Sequence, residues 1–139
     1  MPRNLIKSKE LWQTNLPYSY GTIVKGGTLI FLAGAIAVDK NGKTVGKGDM
    51  KAQIREVVRN IEICLKAAGA TLKDVVMMRI LATDVDAFIK TKDFRCQNFP
   101  DLWGTTPSAQ DSAPSTLIGV TKLGFEGGMV EVEVTAHLP

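Results

Sequence analysis

The chain has 139 residues, of which 45% are hydrophobic, and this composition excludes a disordered or low-complexity protein. Seventeen Lys and Arg residues against fourteen Asp and Glu residues leave a formal charge of +3, and the basic residues are scattered along the chain. The length predicts one domain over residues 1–139 with a core of its own, and the scattered charge gives only weak support to a nucleic-acid partner.

The cysteines and the histidine indicate no metal and no cofactor. Cys64 and Cys96 form no CxxC pair, and His137 is the single histidine, so no zinc-ligand set is present. Both cysteines fall in predicted helices and are expected to be buried thiols of a reducing compartment. The first ten residues lack the apolar core of a signal peptide, and the apolar run 29–38 is too short to span a bilayer. We therefore expect a cytoplasmic protein without a membrane partner.

The first half of the chain predicts strands followed by one long helix. The segments 22–25 and 28–38 flank Gly26-Gly27, which is a hairpin signal, and Asn41-Gly42 marks a second tight turn. A helix is expected to open at Asp49 or Lys51 and to end at Gly69. Its apolar stripe has helical spacing and consists of Ile54, Val57, Val58, Ile61, Leu65 and Ala68.

The second half predicts three more strands and a second helix. Residues 75–83 are apolar and rich in β-formers, and Asp84 or Asp86 is placed to cap a helix that runs through Phe88, Phe94 and Phe99. The segment 100–114 is expected to be a loop, because it is rich in Pro, Ser, Thr and Gly. Strands over 117–123 and 129–136 complete an α+β fold with both helices on one face of the sheet.

The predicted sheet has apolar residues on both of its faces. Strict alternation along 28–38 puts Phe31, Ala33, Ala35 and Ala37 on one side and Ile30, Leu32, Ile36 and Val38 on the other. Two helices cover one face only, and monomers rarely expose an apolar face several strands wide. Self-association through the uncovered face is therefore expected, with ligand clefts at the subunit borders.

Charged residues in the strands are the first candidates for a site. Glu131 and Glu133 share one face of the last strand, close to the turn that holds Ser115 and Thr116. This arrangement predicts either a small-molecule site or a solvated sheet face. Arg79 interrupts an apolar strand and needs a partner or a wet cavity, so it is either paired with one of the glutamates or an anchor for an anionic ligand.

In its order of motifs the chain resembles the RidA/YjgF superfamily, from about Tyr18 to the C-terminus. No single motif is diagnostic, but their number and order are. They are Pro17-Tyr18…Gly21, Leu29-Ile-Phe-Leu-Ala-Gly34, Asn60-Ile61, Ala67-Ala68-Gly69-Ala70, Asp74-Val75-Val76, Thr83-Asp84…Phe88, Gly119-Val120 and Val130-Glu131-Val132-Glu133. The resemblance implies a chorismate-mutase-like fold, with a sheet of about five to six strands and two helices, assembled as a homotrimer. Three small-molecule clefts would lie between its subunits, lined by the C-terminal strands.

The resemblance also implies a chemistry, the hydrolysis of reactive imines and enamines to keto acids and ammonia. Glu131 aligns with the glutamate that positions or activates water, and Tyr18 aligns with a tyrosine that lines the cleft. The family's catalytic arginine falls on Ser115, within Ala113-Pro114-Ser115-Thr116, and its Ser-Gly-Gln motif is here Ala33-Gly34-Ala35. Arg79 is the first candidate to replace that arginine, with Lys92 and Arg95 behind it.

These residues define the predicted site and three candidate functions. Glu131 is the catalytic candidate, and the substrate-binding candidates are Tyr18, Ala33, Gly34, Arg79, Ser115 and Thr116. The first function is hydrolysis of an imine or enamine to a carbonyl compound and ammonia. The alternative is a trimer that binds a small metabolite without turnover. RNA cleavage, which is the activity named for some relatives, is a weaker alternative because the chain has no pair of histidines.

Overall fold

The computed structural model describes residues 3–139, in which one sheet is combined with four helices. The strands are β1 (Thr28–Phe31), β2 (Ala35–Ile36), β3 (Val75–Ala82), β4 (Ser115–Gly119) and β5 (Val130–Leu138). The helices are α1 (Met50–Ala67), α2 (Val85–Ile89), α3 (Lys92–Asn98) and α4 (Pro100–Trp103), and a 3-10 turn over Leu72–Asp74 leads into β3. The predicted α+β class and the predicted sheet of about five to six strands are confirmed, since the sheet has five strands.

Helix α1 forms where the apolar stripe predicted it. The Asp49 carboxylate accepts a hydrogen bond from the Ala52 amide at 3.1 Å and caps the first turn. Gly69 follows the last turn with φ +80°, the left-handed conformation that a glycine adopts without strain. The face of α1 that packs on the sheet is fully buried and consists of Gln53, Ile54, Val57, Val58, Ile61 and Leu65.

The sheet has the order β1–β5–β3–β4, and β2 also pairs with β5. All pairs are antiparallel except β3 with β4, which are parallel. We call the side of the sheet that the helices cover the inner face and the opposite side the outer face. The inner face carries the core, which includes Met78 and Ile80 of β3 and the alternate β5 residues Val130, Val132, Val134 and Ala136.

The outer face of the sheet is not covered by any helix within residues 3–139. It carries exposed apolar side chains at one edge, where Phe31 has 74% and Leu29 has 46% of its surface accessible. None of the helices within residues 3–139 has the length and apolarity needed to cross a membrane.

The predicted hairpin around Gly26-Gly27 is wrong. β1 pairs with the end of β5, from Thr28 opposite Leu138 to Phe31 opposite Thr135. The residues before the turn pair instead with the N-terminal segment, where Thr22 bridges Leu5. A side chain at position 27 would overlap the Leu138 carbonyl, so the glycine that resembles a hairpin turn allows the close approach of β5.

The predicted continuous strand 28–38 is also wrong, because a bulge interrupts it. From Phe31 to Ala35 the chain advances four residues, while their partners on β5, Thr135 and Val132, are three residues apart. The extra residue reverses the alternation of faces. Phe31 consequently lies on the outer face, whereas Ala35 and the fully buried Ala37 do not share that side.

The second helix divides into three short ones, which corrects two further predictions. Asp84 caps α2 as expected. Phe99 precedes a proline and has φ −134°, so α3 ends there. Helix α4 then starts at Pro100, inside the predicted loop. The predicted strand 117–123 is instead β4, which begins at Ser115 and ends at Gly119, since its pairing with β3 starts where the Met78 amide donates to the Pro114 carbonyl at 2.9 Å.

The two cysteines differ in burial. Cys96 is buried in α3 as predicted, whereas Cys64 is exposed, because position 64 of α1 faces away from the stripe that packs on the sheet.

Candidate functional site

A cavity of about 300 Å³ lies on the inner side of the sheet, between the sheet and the helices α2 and α3. We call it the inner cavity. Its floor comes from β3 and β4, one wall comes from α2 and α3, and the other wall is the N-terminal segment 12–20. Most of its lining is apolar: Trp12, Leu16, Pro17, Ile80, Phe88, Ile89 and Leu117; the remaining lining residues are Thr14, Tyr18, Tyr20, Arg95 and Ser115.

Arg95 is the charged residue of the inner cavity, and it is only 3% exposed. Its guanidinium carbon lies 4.1 Å from the centre of the Phe88 ring and 5.3 Å from that of Trp103. The Nε–H donates to the Thr91 hydroxyl at 3.0 Å. None of the ion pairs formed within residues 3–139 includes Arg95. Burial lowers the pKa of Arg95 to about 10, so the group remains a cation at neutral pH.

Tyr18 and Ser115 lie beside Arg95 in the inner cavity and also line a second, more open cavity of about 420 Å³. This second cavity lies across the edge of the sheet and includes Thr116, together with Met77 and Thr135 of the outer face. The Tyr18 ring packs edge-on against Tyr20, with 5.2 Å between the ring centres. The structure records no hydrogen bond from the Tyr18 or Ser115 hydroxyl to residues 3–139, so both are available to a ligand.

Glu131 lies on the outer face of β5, and its side chain folds over Gly34. A Cβ atom at position 34 would overlap the Glu131 carboxylate, since it would come within 2.8 Å of Cδ and 2.9 Å of Cγ. The missing side chain of Gly34 therefore makes the space that the carboxylate occupies. Partial burial raises the pKa of Glu131, and repulsion from Glu133 on the same face raises it further.

Arg79 pairs with Glu133 across the β3–β5 ladder, with 3.6 Å between Nη1 and Oε2. Its side chain is 57% exposed, and it lines neither of the two cavities described above. Of the two sequence interpretations of Arg79, an ion pair with a glutamate is the one that this geometry displays.

The sequence of the chain also matches a known protein family. The family model described as Endoribonuclease L-PSP matches residues 11–138, which is nearly the whole chain. The chain belongs to the RidA/YjgF superfamily. The resemblance predicted from the order of motifs is confirmed.

Individual relatives agree with this membership of the RidA/YjgF superfamily. A RutC family protein of Pyrococcus horikoshii is 35% identical over 80 residues, a match that spans 58% of this chain and 64% of that protein. The mitochondrial protein mmf2 of Schizosaccharomyces pombe is 31% identical over 84% of this chain and 86% of its own. A Rid family protein of Yersinia pestis, YyfB, whose function is unknown, has a crystal structure that superposes with a TM-score of 0.82 at 28% identity, covering 99% of this chain and all of its own.

The predicted site of this RidA/YjgF chain falls into three groups. Tyr18, Ser115 and Thr116 lie together around the open cavity. Gly34 lies against Glu131, with Ala33 exposed next to it, and Arg79 lies with Glu133. Within residues 3–139, no three His, Cys, Asp or Glu side chains are grouped so as to hold a metal.

Arg95 lies buried in the inner cavity, whereas the sequence predicted a solvated helix charge at this position. Its position on a helix with polar neighbours is typical of a solvated charge. The signal in the sequence is the spacing of Arg95 from two aromatic residues, Phe88 and Trp103, which lie about two helical turns away along the chain on either side.

The raised pKa of Glu131 predicts a pH-dependent stability. A carboxylate whose pKa is higher in the folded than in the unfolded protein opposes folding once it must ionise. This cost is absent well below the ordinary value of 4.5 and is fully present above the raised folded pKa. We expect Glu131→Gln to stabilise the protein at neutral pH and to lose that advantage in acid, as measured by urea unfolding at both pH values. An equal effect at both would contradict the burial of the carboxylate.

Proposed function

We propose that this protein hydrolyses a reactive imine or enamine to a carbonyl compound and ammonia, in clefts between the subunits of a homotrimer. The observation that carries the proposal is the Glu131 carboxylate, which is partly buried over Gly34 and has a raised pKa. A carboxylate with a raised pKa is a better general base and acid near neutral pH than an ordinary one. Its position on the last strand is also that of the glutamate which the family resemblance assigns to water activation.

The chemistry proposed for Glu131 is a proton transfer in two directions. Glu131 accepts a proton from water as the water oxygen bonds to the carbon of the C=N group, and the imine nitrogen takes up a proton from the solvent. In the resulting amino alcohol, Glu131 returns its proton to the nitrogen and the C–N bond breaks, so that ammonia leaves. The hydroxyl group then loses its proton to the solvent and becomes the carbonyl. An enamine must first take a proton on carbon to become the imine.

The homotrimer is proposed because the outer face needs a cover. Phe31 and Leu29 are exposed at its edge, next to the β5 strand that carries Glu131. Within one protomer Glu131 and the inner cavity lie on opposite faces of the sheet. A subunit border on the outer face would enclose Glu131 and exclude bulk water around it.

The test is an assay of freshly generated imines from several amino acids, with release of the carbonyl product followed against the spontaneous rate. The sample is first checked by light scattering, where a trimer is expected. Glu131→Gln should lower the protein-dependent rate by about a hundredfold or more, the usual contribution of general acid–base catalysis. Glu62→Gln, which changes an exposed glutamate of α1, is the matched control and should leave the rate unchanged. An unchanged rate in Glu131→Gln would refute the role of Glu131.

Binding without turnover is the second candidate, and the composition of the inner cavity favours it. Among residues 3–139, its lining contains a cation and several hydroxyl groups but no carboxylate and no imidazole, so these residues supply the cavity with no strong general base. A ligand that raises the melting temperature with increasing concentration and remains intact would support this function instead.

RNA cleavage and a cytoplasmic location stay predictions. The ring Nε2 of His137, the single histidine, forms a hydrogen bond with the Gly26 carbonyl at 2.8 Å.

A further inference from the structure

We infer that the inner cavity binds a small monocarboxylate with an apolar body, and that Arg95 is the residue that anchors its carboxylate. This goes beyond the proposed function, because the cavity lies on the face opposite Glu131 and binding there does not require turnover.

The first argument is the incomplete pairing of Arg95. A buried cation is costly unless it is paired, and none of the ion pairs within residues 3–139 supplies Arg95 with a carboxylate. The Phe88 and Trp103 rings and the Thr91 hydroxyl offset part of that cost. Toward residues 3–139, the Nε–H is the one side-chain donor of Arg95 with a recorded hydrogen bond, so the terminal nitrogens keep their N–H groups for another acceptor.

The second argument is the match between those N–H groups and a carboxylate. The terminal N–H groups of a guanidinium form a planar fork that holds a carboxylate by two parallel hydrogen bonds. Tyr18 and Ser115 line the same cavity, and their hydroxyls are additional donors. The part of the lining that residues 3–139 supply contains a single cation and no acidic side chain, which favours a ligand with one negative charge and disfavours a cationic ligand.

The third argument concerns the rest of the ligand. Beside Arg95 the walls are hydrocarbon and aromatic, with Leu16, Ile80 and Leu117 among them. A ligand that fills such a space gains from burial of its apolar surface. The volume of about 300 Å³ lies at the lower end of the range for small-molecule sites, so the apolar body is short.

This assignment explains why Ser115 is tolerated where the family resemblance places an arginine. Ser115 and Arg95 line the same cavity from different sides, Ser115 from β4 in the floor and Arg95 from α3 in the wall. Anion binding would then be supplied by the helix in place of the strand. A second arginine at position 115 would bring two cations into one small apolar space.

The test compares 4-methylpentanoate with its neutral amide, 4-methylpentanamide, as ligands of the full chain in calorimetric titrations. The acid should bind about tenfold or more tightly than the amide, since a charge-assisted pair replaces neutral hydrogen bonds. Arg95→Lys keeps the charge, loses the fork and should weaken the acid by about tenfold while changing amide binding little. Arg59→Lys, on the exposed side of α1, is the matched control and should change neither affinity.

Equal affinities of the acid and the amide for the unchanged protein, or no binding of either, would overturn the inference without recourse to any variant. So would an Arg95→Lys variant that binds the acid as tightly as the unchanged protein. Glu131→Gln separates this inference from the proposed function. Retained acid binding together with unchanged imine hydrolysis in that variant would refute the proposed role of Glu131 and support the anchor.

Discussion

Replacement of Gln53 by leucine is expected to lower the free energy of unfolding by about 3 kcal/mol, because it removes three hydrogen bonds that contribute about 1 kcal/mol each. Gln53 is fully buried in α1, and its amide nitrogen donates to the Gly46 carbonyl at 3.2 Å and to the Gly127 carbonyl at 2.8 Å. Its Oε1 accepts from the Met129 amide at 2.8 Å. One side chain thus ties α1 to the loop before it and to the start of β5.

The measurement is urea unfolding followed by circular dichroism, with Gln97→Leu as the matched control. Gln97 is an exposed residue of α3, so its replacement should change the stability by less than about 0.5 kcal/mol. Equal stability of the two variants would mean that water replaces the hydrogen bonds of Gln53. That result would contradict the structural role of this side chain.

Gly34→Ala is expected to disable Glu131 without unfolding the protein. The added Cβ would overlap the carboxylate, which must rotate away from its partly buried position. The pKa of Glu131 should then fall back toward its ordinary value of 4.5, because its burial is relieved. If Glu131 is the general base, the rate of imine hydrolysis should fall about tenfold or more through misplacement of that base.

A pH titration followed by carbon NMR of the Glu131 carboxyl measures the change in the pKa of Glu131. The imine assay measures the rate of hydrolysis. Gly124→Ala is the control, because a Cβ at position 124 meets open space. That variant should match the unchanged protein in both measurements. A Glu131 pKa that remains raised in Gly34→Ala would contradict the account of why position 34 is a glycine.

The elements that the sequence predicted well are those whose signals are local. α1 combines an N-cap aspartate, a stripe of helical period and a terminal glycine, and the structure confirms all three except at Ala68, the last predicted residue of the stripe, which is exposed beyond the end of the helix. The face of β5 is equally clear, because Val130, Val132 and Val134 alternate with polar residues and are buried. In both cases the residues that decide the structure lie within one element.

The bulge between β1 and β2 illustrates what the sequence does not contain. Nearly every residue from Ile30 to Val38 is apolar, so either register of the strand looks acceptable and alternation cannot locate the extra residue. Its position is decided by the partner strand, where Glu131 occupies the space above Gly34. The same holds for Gly26-Gly27, since the strand that approaches these glycines comes from the other end of the chain.

Three of the predicted ligand-binding residues, Tyr18, Ser115 and Thr116, line one cavity within the protomer, whereas the family resemblance implies clefts between subunits. The place of Arg95 could not be predicted, because it depends on the division of the second helix at Thr91 and Phe99, which turns Phe88 and Trp103 toward the guanidinium. A helix continuous through these residues would distribute the aromatic rings differently around its axis.

The N-terminal wall of the inner cavity has a consequence for its opening. Between Trp12 and Tyr20 the structure records no amide that donates to a backbone carbonyl of residues 3–139, and the wall is held by side chains such as Ser19, whose hydroxyl donates to the Ser112 carbonyl at 2.7 Å. Segments with few backbone hydrogen bonds open at a free energy far below that of global unfolding. We therefore expect the wall to open at a lower free energy than that at which the sheet unfolds, so that access to the cavity does not require loss of the sheet.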